Sequence, residues 1–167
     1  MKLKTNTTLL LSFLIVAVGI AVTVITGLWQ TKSDQIPRVL EPEKLATVAA
    51  DTVDTEAVVY DPADIRGSYT FGRVSSLYGI PQAAIAEAFG IPEADVEAFQ
   101  VKSLETLYDE ELEIGTASVR LFTACYLGLP YTPSEESYLP KSAVDILVAN
   151  GNMTAEQAAF VAAHTAP

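Results

Sequence analysis

Few residues in this chain of 167 could carry chemistry: it has one cysteine, Cys125, and one histidine, His164. A thiolate nucleophile needs an adjacent base or positive charge. Cys125 instead lies one position off a helical stripe of Val119, Phe122 and Tyr126, the place of a small buried hydrophobe. His164 is expected in solvent, and no acidic pair is placed beside it to build a Ser–His–Asp or Cys–His arrangement. A lone cysteine forbids an internal disulfide, and no cluster of thiolates can hold zinc or iron–sulfur. No Cys-x-x-Cys-His haem attachment site occurs either. No cofactor is expected, so any redox chemistry would reside in a partner.

The one stretch that could gather an anion is Ile65-Arg66-Gly67-Ser68-Tyr69-Thr70, just ahead of an expected helix. There Arg66, the Ser68 and Thr70 hydroxyls and free amides at Gly67 and beyond would converge on a small anion. The competing reading pairs Arg66 with Asp61 or Asp64 and leaves Ser68 and Thr70 to satisfy the loop and cap the helix. Intramolecular pairing is likewise expected for Arg73 and Arg120. The acidic run Asp109, Glu110, Glu111 and Glu113 lacks the spacing of a calcium loop and reads as a solvated face or a docking surface for a basic partner. Gly67-x4-Gly72-Arg73 lacks the Lys-Ser/Thr of a phosphate loop. The run VSSLYGIPQAAIAEAF has the helix–turn–helix form of a DNA reader, but its second helix offers only Gln82 and Glu87 among alanines.

Charge decides that last question. The net charge is −11, and residues 51–167 hold five basic against 18 acidic side chains, a net −13. A domain so acidic repels phosphate backbones, so no nucleic-acid partner is expected and basic proteins suit the field better.

These residues must be positioned by the elements around them. Residues 1–8 read as a cytoplasmic tail carrying Lys2 and Lys4. Leu9 to Trp29 is an uncharged run of 21 residues, and a helix of that length spans roughly 30 Å, the thickness of a bilayer's hydrocarbon. Trp29 suits the far interface. A signal peptide would have a shorter apolar core and a small-x-small site, which Gly27-Leu28-Trp29-Gln30 does not provide. The expectation is a single-pass transmembrane helix over 9–29 in the cell membrane, with the N-terminus cytoplasmic and the acidic domain exported. Residues 30–60, with Pro37 and Pro42, read as a linker that includes a short helix over Glu43 to Ala50 and a short strand over Val58 to Tyr60.

The folded domain is expected over 61–167. Three turns repeat a device: Gly79-Ile80-Pro81, Gly90-Ile91-Pro92 and Gly128-Leu129-Pro130. In each, glycine supplies the left-handed C′ conformation, the apolar residue folds back, and proline stops continuation. They bound helices over Phe71 to Tyr78 (capped by Thr70), Pro81 to Phe89, and one ending at Leu127. Further helices are expected over Glu93 to Phe99, Leu104 to Leu112 (capped by Ser103) and Lys141 to Ala149. A last one, opened by the capping box Thr154-x-x-Gln157, runs to about His164. Tyr131 to Tyr138 reads as a polar loop. The fold class is all-α: a transmembrane helix followed by a small domain of roughly five to seven short helices.

Ile65-Arg66-Gly67-Ser68-Tyr69-Thr70, followed by Val74, Tyr78-Gly79-Ile80-Pro81 and a second glycine–apolar–proline turn, resembles a small helical domain. That domain is appended to anaerobic bacterial membrane proteins of the ferredoxin-type and cytochrome-like redox groups. The resemblance covers about residues 61–116 and rests on turns and caps. It implies an accessory part beside a larger membrane redox complex, without electron transfer in this chain. The expected function is thus a membrane-anchored, non-enzymatic interaction protein. The alternative is a tethered ligand-binding or sensory domain using the Arg66–Thr70 loop.

Overall fold

The computed structural model describes residues 36–40, 58–108 and 113–166. The chain divides into Met1–Gln35 and Ile36–Pro167, and all described residues fall in the second unit. The expected tail, transmembrane helix and interface residues Lys2, Lys4 and Trp29 lie outside the described residues. So do residues 30–35 and 41–57 of the linker and Asp109–Leu112 of the acidic run. Among the described residues no helix is long and apolar enough to cross a membrane.

The second unit is all-α. Its helices are α1 (Phe71–Tyr78), α2 (Gln82–Phe89), α3 (Leu104–Leu107), α4 (Thr116–Leu127), α5 (Lys141–Asn150) and α6 (Ala155–Ala163), with 3-10 turns at Pro62–Asp64 and Val101–Ser103. β-Structure among the described residues is confined to isolated bridges, Val39–Tyr60, Thr70–Gln100 and Leu139–Thr165.

The repeated turns work as the chemistry of their residues requires. Gly79, Gly90 and Gly128 all adopt positive φ, at 67°, 62° and 68°. Behind α2 and α4 the residue after glycine donates its amide back across the helix end, Ile91 to Ala86 O at 2.9 Å and Leu129 to Ala124 O at 2.8 Å. This satisfies carbonyls the helix leaves open. The side chains of Ile80, Ile91 and Leu129 are all buried by the fold-back. Pro81 stands one residue earlier than expected, as the N-cap of α2 with ψ 133°.

An aromatic series runs through the core. Phe71 and Phe89 lie 5.5 Å apart, Phe89 meets Phe122 edge-on at 5.4 Å, and Phe122 meets Tyr126 at 5.7 Å. Each fully buried phenylalanine contributes about 1.5–3 kcal/mol of apolar burial. α2 packs on α5; Ala88 of the first and Ala143 of the second are both fully buried, and Ser142 Oγ donates to Ala88 O at 2.8 Å. Small side chains let the two backbones approach closely.

Three expectations change. Residues 93–98 form a series of turns, not a helix: Val96 alone among them is buried, and the chain must extend at once so that Phe71 N reaches Phe99 O and Val101 N reaches Tyr69 O, each at 2.9 Å. One buried side chain is too little apolar face to sustain a helix. Ser103 is itself helical, with φ −73° and ψ −9°, and caps nothing with its side chain. The helix after it ends at Leu107, where Tyr108 turns away and its hydroxyl donates to Phe89 O at 3.0 Å. Finally, residues 36–40 belong to the folded unit rather than to a linker. Leu40 is buried, and its amide donates to Val59 O at 2.7 Å.

Candidate functional site

The structure gathers Arg66, Gly67, Ser68 and Thr70 into one tight turn, closed by Tyr69 N donating to Arg66 O at 2.9 Å. Most of its polar groups already have roles. Thr70 Oγ1 accepts from Arg73 N at 3.2 Å as the cap of α1. Gly67 O accepts from Lys102 N at 2.9 Å. A Cβ on Gly67 would stand 3.1 Å from both Lys102 Cβ and Thr116 Oγ1, so the turn is pressed against two neighbouring segments. Ser68 points outward and is exposed.

The first turn of α1 already has a carboxylate beside it. A Cβ built on Gly72 would fall 2.5 Å from the Glu97 carboxylate, which also accepts from Gln82 Nε2. A carboxylate beside a helix's first turn is where the dipole favours one. The arginines are likewise turned to internal use. Arg73 stacks over the Tyr69 ring with Cζ 4.3 Å from its centroid. Arg120, expected in an ion pair, sends Nε and Nη2 to the Ile65 carbonyl at 2.8 and 2.7 Å. The Tyr78 hydroxyl holds the same segment by donating to Asp61 O at 2.9 Å.

Asp61 and Asp64 pair with Arg38, a residue that sequence reasoning left in the linker. Its backbone N and Nε donate to Asp64 Oδ2 at 2.8 and 3.0 Å, and Nη2 donates to Oδ1 at 3.1 Å. That hydrogen-bonded guanidinium holds the Asp64 carboxyl below the ordinary aspartate range, and the Arg66 charge adds to the effect. Twenty-six positions separate Arg38 from Asp64, so no local spacing could have paired them.

Cys125 is fully buried, and burial pushes its thiol up to about 12. It is therefore a poor nucleophile in the folded chain. His164 is half-buried rather than solvated. Its ring stacks on Phe160 with centroids 3.8 Å apart, and Nδ1 lies 2.9 Å from Phe160 O. A carbonyl only accepts, so Nδ1 carries the proton. Among the described residues no group of three or more His, Cys, Asp or Glu is placed to hold a metal ion.

A concave feature among the described residues lies where the sequence suggests a polar loop. A cleft of about 330 Å³ opens between α4, the 129–133 segment and α6, with apolar walls from Leu121, Leu129, Pro130, Tyr131, Pro133 and Phe160. Thr132, Thr154, Glu156 and Gln157 complete it. The capping box engages two of these: Thr154 Oγ1 accepts from Gln157 N, Gln157 Oε1 accepts from Thr154 N, and Gln157 Nε2 donates to Leu129 O at 2.8 Å. Burial raises the Tyr131 phenol above its ordinary value, partly offset by the nearby Arg120 guanidinium. The signal was legible in Leu129-Pro130-Tyr131-Thr132-Pro133, where two prolines stiffen an aromatic segment. Set against protein-family models, curated proteins and solved structures, the chain matches none.

Proposed function

We propose that this chain is a membrane-anchored, non-enzymatic interaction protein whose acidic helical domain docks on a basic surface of a larger membrane complex. A redox complex is the context that the resemblance of residues 61–116 suggests. The anchor is the apolar run Leu9–Trp29, with the domain on the exported side.

The observation that carries the reading is the disposition of charge. Arg38, Arg73 and Arg120 are engaged by the fold, on the Asp61/Asp64 pair, the Tyr69 ring and the Ile65 carbonyl. The carboxylates of Glu87, Glu93, Asp95, Glu135, Glu136 and Glu156 are meanwhile exposed, and none joins an ion pair among the described residues. The surface thus offers uncompensated negative charge, which steers and orients a basic partner. The same unit also exposes apolar area: Ile36, Val39 and Val58 are 71%, 56% and 57% exposed around the Val39–Tyr60 bridge.

The test is co-purification of the tagged full chain from detergent-solubilised native membranes, with mass spectrometry at low and high salt. A membrane protein recovered in stoichiometric amount, and released by salt, is the expected result. Recovery as a free monomer at every salt concentration would remove the basis for the docking role.

A further inference from the structure

We propose that the cleft between α4, the 129–133 segment and α6 is a peptide-docking site. It would take one bulky apolar side chain flanked by lysine or arginine on an extended segment of the partner. The proposal rests on the docking reading above and adds the place and chemistry of recognition.

The polar groups of the cleft are largely engaged by the fold, while its apolar faces stay open. Gln157 and Thr154 are tied into the cap of α6 and into Leu129 O. The walls that remain are apolar, with Pro130, Tyr131, Pro133 and Phe160 only partly covered by the fold. Rigid proline and aromatic faces bind at low entropic cost because they have little freedom to lose. A cleft of about 330 Å³ is at the low end of the roughly 300–1,000 Å³ that ligand sites occupy. It suits a single side chain better than a large cofactor.

Charge selects the occupant. Glu156 is part of the cleft and exposed, and the exposed pair Glu135 and Glu136 follows two positions after Pro133. No ion pair among the described residues neutralises these carboxylates. The neighbouring cation, Arg120, has two N–H groups on Ile65 O and also acts on the Tyr131 phenol. An acidic peptide would meet the Glu156 carboxylate in the cleft itself, whereas a lysine or arginine can lay its methylene stem along the apolar wall and its charged head toward Glu156.

The experiment is an NMR titration of the full chain in micelles with Ac-Gly-X-Lys-Lys-Gly-amide peptides, X being Leu, Phe or Gly. Two further peptides carry Glu in place of both lysines. Amide shifts centred on Tyr131, Gln157 and Phe160 are expected for the Leu and Phe peptides. The Gly peptide should bind about tenfold or more weakly, because the apolar anchor is gone. Glu156→Gln should weaken the Leu and Phe peptides by about two- to fivefold, the range of one exposed ion pair. Thr132→Arg, on the exposed rim, should weaken them about tenfold by occlusion and like charge while leaving the fold intact. Equal binding of the Glu-containing peptides, equal binding of the Gly peptide, or no binding by any member each overturns the cleft assignment. None of these touches the docking role, which stands or falls on co-purification. Loss of the membrane partner with the peptide shifts intact would overturn the role and spare the cleft.

Discussion

Replacing Gly128 by alanine should cost about 2–4 kcal/mol, while the same change at Gly79 should cost only about 1 kcal/mol. Both glycines hold a left-handed backbone, φ 68° and 67°, so the shared penalty for placing a Cβ there is about 1 kcal/mol. Their surroundings differ. A Cβ at Gly79 meets nothing within 4 Å, whereas at Gly128 it would stand 2.7 Å from Asn152 O and 3.1 Å from Asn152 Cβ. Retreat of Asn152 is restrained, because its amide donates to Cys125 O at 3.1 Å and Tyr126 O at 3.2 Å, which seals the end of α4. Overpacking against backbone adds about 1–3 kcal/mol. Urea unfolding of the full chain in mild detergent, followed by circular dichroism, measures the difference. Gly90→Ala, whose nearest neighbour is Tyr108 Oη at 3.7 Å, should behave like Gly79→Ala. If Gly128→Ala and Gly79→Ala lost equal stability to within about 0.5 kcal/mol, the close packing of α4 on the 150–152 turn would be refuted.

Other outcomes follow from the same contacts. Asp64 is held low chiefly by the Arg38 hydrogen bond, so its contribution to stability is present above the ordinary aspartate pKa and is lost as pH falls through the depressed value. Asp64→Asn should therefore lower stability at neutral pH and flatten the acid limb below about pH 4 in a pH series of urea midpoints. Cys125 behaves oppositely. Its thiol is pushed up from 9.0 to about 12, so the stabilisation is complete below the unfolded value and lost as pH rises toward the folded one. An aromatic disulfide reagent should leave it unmodified at pH 8 until denaturant is added, and rapid stoichiometric reaction of the folded chain would refute its burial. Thr154→Ala, which removes one half of the capping box, should cost about 1 kcal/mol by urea unfolding, and Thr154→Ser should restore most of it.

How much was legible in the sequence depended on how local the cause was. The glycine–apolar–proline turns, the Thr70 cap and the Thr154/Gln157 box are each fixed by residues within a few positions of one another, and their geometry follows from composition. The Glu93–Phe99 segment has helix-forming residues as well. Besides its single buried side chain, what acts against a helix is remote, the pairing of Phe99 and Val101 with Phe71 and Tyr69. The linker reading of Arg38 fails for the same reason, since its partners Asp61 and Asp64 lie beyond an intervening segment. For the Arg66–Thr70 loop, sequence could not show the Glu97 carboxylate beside Gly72. Tyr131 to Tyr138 looks polar on average, which hides the cleft that Tyr131 and Pro133 line together with the distant Leu121 and Phe160.

The central claim, that this acidic domain docks on a basic partner, is tested most directly by zero-length carbodiimide cross-linking in intact native membranes. The reagent joins a carboxylate only to a lysine in contact with it. The account predicts heteromeric links from Glu135, Glu136 or Glu156 to lysines of one membrane protein, suppressed when about 0.5 M salt is added first. Links confined to pairs within the chain, such as Lys141 to Asp145, would contradict it.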